Sequence, residues 1–323
     1  MKKATTQNIH ISDFEKEVRE GLTAFPKRLS SKFIYDQKGD KLFQKIMDLP
    51  DYYLTRCEFD ILQKHTKAIA ETFNGPKGFD LIELGAGDGK KTKILLKHLS
   101  EKGYDFTYLP VDISQNALDG LESSLKKELP KVAVKSQQGT YFKTLDRLSE
   151  YDSRKKVILM LGSNIGNLLH ENAIDFLKNI QSSMNENDLL FMGFDQKKNP
   201  QTILDAYNDK TGVTAAFNKN ILVRINAEFG GNFNVENFLH WETYDPETGT
   251  AKSFLVSKTG QEIFIEYLNL TVHFDPWESI HVEISQKYDD AVVEWLANEA
   301  GLEITTWFSD EKGFYKNYIF KKK

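Results

Sequence analysis

Chemistry in this chain starts at Gly85, Gly87 and Gly89, which alternate through Leu84-Gly-Ala-Gly-Asp-Gly-Lys-Lys91. Glycines at that spacing let the backbone take positive φ and let a ligand come close. An apolar strand precedes the turn and an amphipathic helix follows it, aiming free N–H groups at whatever lies there. The arrangement reads as a nucleotide-type pocket at the carboxyl end of a first strand. It also reads as a tight strand–helix connection in an unrelated α/β protein. A dinucleotide fingerprint wants a third glycine at the sixth position, where this chain has Lys90, so a nicotinamide-dependent dehydrogenase is disfavoured.

Other residues add to this. Asp112 closes Leu109-Pro-Val-Asp-Ile-Ser114, where a carboxylate meets a ribose in a Rossmann-type site; its alternative role is to cap the next helix, which Ser114 can do instead. Leu161-Gly-Ser-Asn-Ile-Gly-Asn-Leu168 is a polar, close-approach loop after a later strand. In His281-Val-Glu-Ile-Ser-Gln-Lys287 strict alternation puts Glu283 and Ser285 on one face, able to grip a small nitrogenous group or simply to meet water. His281, Gln286 and Lys287 read as surface. Tyr35, Phe43, Tyr52, Tyr53 and Tyr207 are either core or the wall of a pocket for a polar ligand. The seven histidines show no metal-ligand spacing, and the single Cys57 excludes an internal disulfide and a cysteine-rich metal site.

The elements that must position these residues follow from periodicity. Strands are expected over 80–84, 106–111, 132–136, 156–160 and 188–195, with helices over 91–99, 116–129 and 172–184. That rhythm implies a parallel sheet covered on both faces. Upstream, a short helix over 12–22, a turn at 36–39 and a helix from a Thr55/Glu58 capping box through residue 69 are expected. Residues 196–285 break the rhythm: one helical stretch over 200–222, then β-prone segments, with long strands over 262–274 and 279–286. A helix over 290–300 and strands over 302–307 and 314–320 close the chain, and 321–323 read as a frayed tail. The expected fold is α/β: a Rossmann-like domain with an inserted α+β lobe. Its parts are 1–59, an N-terminal segment packing with the lobe; 60–195, the nucleotide-type domain; 196–285, the lobe; and 286–323, the elements completing the sheet.

Composition narrows the class. The 323 residues are 40% hydrophobic and 28% charged, with a formal net charge of -5. That is globular composition, and it argues against a nucleic-acid partner, which favours a basic face. No apolar run is long enough to span a bilayer, and no apolar segment follows Lys2 and Lys3, so neither membrane insertion nor secretion is expected. A reduced, cytoplasmic setting and a monomer are the expectation.

Taken together, these stretches resemble the histidine-specific methyltransferase family, the ergothioneine-pathway L-histidine Nα-methyltransferases. Glu83 ahead of the glycines resembles motif I of S-adenosylmethionine-dependent methyltransferases. Phe33-Ile-Tyr-Asp36, Leu49-Pro-Asp-Tyr-Tyr-Leu-Thr-Arg56, Pro110-Val-Asp-Ile-Ser114, the 161–168 loop, Ala206-Tyr-Asn-Asp209, Gly212-Val-Thr-Ala-Ala-Phe-Asn218 and Val282-Glu-Ile-Ser-Gln-Lys287 keep the family's order. The resemblance implies methylation of the α-amino group of L-histidine, up to the trimethylated betaine hercynine, with S-adenosylmethionine as donor. It implies that Gly85, Lys91 and Asp112 hold the donor, with Thr140 and Tyr141 standing where the family has an Asp-Phe pair. Asn167 and Tyr207 would bind the substrate carboxylate. Tyr52, Glu283 and Ser285 would read the imidazole, Phe43 and Gly162 would shape the pocket, and Tyr35 would accept or relay a proton at the amine. A family methionine aligns with Ser253. The alternatives are an N-methyltransferase of another amino acid, such as a tryptophan derivative, or a non-catalytic relative that binds donor and amino acid. The histidine reading requires the glycine turn and the Glu283/Ser285 strand to serve one cavity.

Overall fold

The computed structural model describes residues 12–140, 144–145 and 154–323. In chain order the elements begin with α1 (Asp13–Thr23), β1 (Lys27–Arg28), α2 (Gln37–Met47) and α3 (Tyr53–Phe73). Next come β2 (Phe79–Leu84), α4 (Thr92–Glu101), β3 (Phe106–Asp112), α5 (Gln115–Glu128), β4 (Ala133–Val134) and β5 (Gln137–Gln138). After them lie β6 (Lys155–Met160), α6 (His170–Ser182), β7 (Leu189–Asp195), α7 (Pro200–Tyr207) and α8 (Val213–Phe229). Then follow β8 (Phe238–Asp245), β9 (Thr250–Ser257), β10 (Gln261–Ile265), β11 (Leu270–Phe274) and β12 (Ser279–Gln286). The chain closes with α9 (Asp290–Glu299), β13 (Leu302–Ser309) and β14 (Tyr315–Lys322).

These elements divide into two units. An α/β unit holds Tyr53–Lys198 and Ser285–Lys323; a lobe holds the residues up to Tyr52 together with Asn199–Ile284. The α/β unit is built on a sheet of order β13-β14-β7-β6-β2-β3-β4, with β5 also pairing β3. β2, β3, β6 and β7 are mutually parallel and almost wholly buried, so both faces need cover. Leu62, Phe73, Leu95, Leu99 and Leu121 pack on one face; Phe176, Leu177, Ile180, Val293 and Leu296 pack on the other. From β2 the chain steps outward through β3, then resumes on the other side at β6. The strand order therefore reverses between β2 and β6, where open α/β sheets bind ligands. The loops leaving those two strands are the glycine turn and 161–168. The last strand, β14, is antiparallel to β7, and the unit has a Rossmann-like α/β fold.

The lobe carries a sheet of order β1-β12-β9-β8 and a separate β10–β11 hairpin. α8 lays Phe217, Ile221, Leu222 and Ile225 into its interior.

Several local expectations need correction. The helical stretch over 200–222 is two helices, because the Asp209 carboxylate accepts the N–H groups of Val213 (3.1 Å) and Thr214 (2.7 Å) and starts α8 afresh. The strand over 262–274 is a hairpin, turning between Ile265 and Leu270, which pair with each other. The tail does not fray through Lys322, which pairs with Leu302. α3 starts at Tyr53, so Thr55 lies inside the helix and is not its cap.

Candidate active site

In the α/β unit, Gly85, Gly87 and Gly89 take φ of 74°, 53° and 64°, so the turn needs the residue type the sequence supplies. A Cβ added at Gly87 would meet nothing within 4 Å: the backbone there faces open space. Asp112 accepts from the Gly87 N–H (3.2 Å) and the Ser114 N–H (2.9 Å). Ser114 caps α5 by accepting from the Ala117 N–H (3.2 Å). The capping alternative thus falls to Ser114, and Asp112 ties the end of β3 to the glycine turn. The Gly139 N–H bonds the Asp112 carbonyl (3.0 Å), which brings exposed Thr140 to the same strand end. Tyr141 lies outside the described residues. Glu83 is buried beneath the turn and accepts from Thr92 Oγ1 (2.6 Å) and from the Tyr108 hydroxyl. Burial pushes its carboxyl up to about 7, against the pull of those hydrogen bonds and of Lys91.

Lys91 is not a free cation. Its ammonium pairs with Glu58, which is fully buried. The same carboxylate accepts from the Gly162 N–H (2.8 Å), the Tyr315 hydroxyl (3.1 Å) and Asn317 Nδ2 (2.9 Å). Glu58 therefore clamps the start of α4 to the loop after β6, the two segments that flank the strand-order reversal. The capping-box reading missed this. The available signal was a carboxylate inside an apolar stripe, since Leu54, Cys57, Ile61 and Leu62 share the buried face of α3.

In the 161–168 loop Gly162 sits beside Lys91, and Asn167 is exposed. Ser163 takes φ of 56°, and its hydroxyl accepts the Asp195 N–H (3.0 Å). Asp195 anchors a buried network: Lys287 (2.7 Å), Lys198 (2.5 Å) and the Tyr53 hydroxyl (2.9 Å) all reach its carboxylate. Burial alone would raise the Asp195 carboxyl; the Lys287 and Lys198 charges hold it below its ordinary value. Lys287 also donates to Ser285 Oγ (2.7 Å), so Ser285 is linked through Asp195 to the 161–168 loop. Lys287 and Gln286 are buried, not surface, because β12 ends inside this unit's interior. His281 is partly buried, with Nε2 3.1 Å from the Glu283 carbonyl oxygen.

In the lobe the candidate side chains form a run of rings. Tyr35 meets Phe43 at 5.6 Å, Phe43 meets Tyr52 at 6.4 Å, and Tyr52 meets Tyr207 at 6.0 Å, all edge to face. Phe217, to which the sequence reading gave no role, packs on Tyr35 (5.2 Å) and Phe43 (5.9 Å). The Tyr35 hydroxyl is desolvated although 37% of the residue stays exposed. That desolvation, then the charge of Glu283 and the neighbouring Tyr52 and Tyr207, raises it well above its ordinary value. At neutral pH Tyr35 is a phenol. It can donate and accept hydrogen bonds, but it is no free-standing base. Ser253 is spoken for: its hydroxyl donates to the buried Glu242 (2.6 Å), opposite it in the β8–β9 ladder. Among the described residues no cluster of His, Cys, Asp or Glu can hold a metal ion.

Known proteins are similar along nearly the whole chain. Residues 14–322 match the model of a family described as histidine-specific methyltransferase, SAM-dependent. A histidine N-alpha-methyltransferase of Mycolicibacterium smegmatis is 33% identical, covering 92% of this chain and 91% of that protein. One from Mycobacterium tuberculosis is 32% identical, with the same two coverages. Ergothioneine biosynthesis protein 1 of Schizosaccharomyces pombe is 30% identical over 91% of this chain, which spans 39% of that longer protein.

Proposed function

Because the chain belongs to the histidine-specific, S-adenosylmethionine-dependent methyltransferase family, we propose that it methylates the α-amino nitrogen of L-histidine, in up to three rounds, to hercynine. One observation carries the acceptor half of this reading. Within the lobe, the rings of Tyr35, Phe43, Tyr52 and Tyr207 run edge to face, with the Glu283 carboxylate near enough to act on the Tyr35 hydroxyl. Hydroxyls, ring faces and one carboxylate suit a small zwitterion with a nitrogenous ring.

The donor fits what the α/β unit offers: positive-φ glycines with open space at Gly87 and a carboxylate at the end of β3. Gly85, Lys91, Asp112, Thr140 and Tyr141 would hold it. Bound S-adenosylmethionine supplies a methyl group already activated by its sulfonium, so the protein's task is to position and desolvate. Asn167 and Tyr207 take the substrate carboxylate. Glu283 accepts from one imidazole nitrogen, while Tyr52 and Ser285 serve the other edge. Phe43 and Gly162 shape the space. Tyr35, a phenol, acts as a relay: its oxygen takes the proton the substrate ammonium sheds while its own hydroxyl proton passes to water, which leaves the amine lone pair free for the methyl group. The protein acts as a cytoplasmic monomer; light scattering on the purified chain tests the oligomeric state. No helix among the described residues is long and apolar enough to cross a membrane.

Incubation with S-adenosylmethionine and a pool of free amino acids, followed by mass spectrometry, decides the function. Mass gains of one to three methyl groups on histidine are expected. Methylated tryptophan without methylated histidine sinks the acceptor assignment, and donor binding with no product sinks the catalytic one.

A further inference from the structure

Tyr35 lies in the short link between a 3-10 turn at Ser31–Phe33 and α2. The link has backbone bonds of its own, Ile34 N–H to the Ser31 carbonyl (2.9 Å) and Asp36 N–H to the Ile34 carbonyl (3.0 Å), and it is held from outside as well, by one face of α8. Asn220 is 1% exposed, and its Nδ2 donates to the Ile34 carbonyl (3.0 Å) and to Asp36 Oδ1 (2.9 Å). A single NH2 group thus spends both hydrogens on the two residues that flank Tyr35. The orientation of the amide is settled, because a flip would set its oxygen against two acceptors. One turn later Arg224 donates to the Phe33 carbonyl (2.7 Å), and one turn earlier Phe217 packs on the Tyr35 ring (5.2 Å). Residues 217, 220 and 224 share a helix face at the 3.6-residue period. Asn220 Oδ1 is buried with no partner, a cost the fold carries while the NH2 bridge is kept. Asp36 also accepts the Gly39 N–H (2.7 Å) to cap α2, so the bridge and the cap share one carboxylate.

We infer that Asn220 is a positioning residue for methyl transfer: it sets the Tyr35 hydroxyl by bridging the backbone of Ile34 and the side chain of Asp36. The inference rests on the reading above that Tyr35 serves the reacting amine. It does not require Asn220 to touch substrate.

The test is a double-mutant cycle on the full chain, with whichever amino acid the wild type methylates. Asn220→Ala should lower kcat by about tenfold, the worth of one well-made polar contact in the transition state. Affinity for S-adenosylhomocysteine, by calorimetry, should stay within about twofold, since the donor residues are untouched. In a Tyr35→Phe background the same substitution should cost roughly nothing further. An equal loss in both backgrounds, or no loss in either, overturns the inference. Asn220→Ser, which keeps one donor, should recover part of the loss and serves if the alanine variant does not fold. If Tyr35→Phe alone leaves kcat unchanged, the functional reading fails instead. A readout free of turnover then still judges the bridge. In protein labelled with 13C at tyrosine Cζ, the signal missing from Tyr35→Phe should shift or broaden in Asn220→Ala. An unmoved signal overturns the inference.

Discussion

In the α/β unit the candidate groups are joined by charge: Glu58 to Lys91, Asp195 to Lys287 and Lys198, each carboxylate fully buried and bonded several times over. In the lobe they are joined by rings, Tyr35 to Phe43 to Tyr52 to Tyr207, with Phe217 behind. A buried charge network tolerates little change, because a partner left unpaired keeps its full desolvation cost. Ring contacts are individually weak and can rearrange. The contrast fits the two tasks proposed: a constant donor held rigidly, and an acceptor whose amine grows by successive methyl groups.

Removing a clamp should therefore cost more than removing a ring. Glu58→Ala removes the carboxylate that Lys91, the Gly162 N–H, the Tyr315 hydroxyl and Asn317 share, and should destabilise the protein by about 3–5 kcal/mol in urea unfolding. Glu58→Gln keeps one acceptor and should cost visibly less. A loss below that of a ring substitution breaks the contrast.

The two regions should also oppose each other in pH. Glu83 in the α/β unit is raised from 4.5 to about 7 by burial, so its contribution is full below pH 4.5 and is lost as pH rises through 7. His240 in the lobe is lowered from 6.5 to about 4 by burial, so its contribution is full above pH 6.5 and is lost as pH falls through 4. Each is worth at most about 3 kcal/mol, and across pH 4.5–6.5 the slopes nearly cancel. Glu83→Gln should leave a stability that climbs with pH over that window; His240→Gln should leave one that declines. Parallel slopes in both variants would refute the opposition.

Glu283→Ala should weaken histidine binding by about 1–3 kcal/mol in calorimetry while donor affinity barely changes. An unchanged histidine titration removes Glu283 from ring reading. The smallest effect belongs to Phe217→Leu, which loses the ring contacts to Tyr35 and Phe43 and should cost about 1 kcal/mol of stability.

Local pattern determined most of the α/β unit. Apolar runs at 79–84 and 155–160 form buried parallel strands, and the glycines of the turn take the left-handed conformations their type permits, because both depend on neighbours in sequence. Ser114 caps its helix for the same reason. The lobe was less legible. A carboxylate four residues away split one expected helix into α7 and α8, and a hairpin replaced one expected strand, since polar helices and short strands give periodicity little to read. Tertiary structure alone decided the fate of Glu58, Lys287 and Asn220. Sequence offers Glu58 as a helix cap, Lys287 as surface and Asn220 with no role; each is buried because its hydrogen-bond partners include residues more than 30 positions away. A buried polar group is stable only where folding delivers its partners, and no window of sequence contains them.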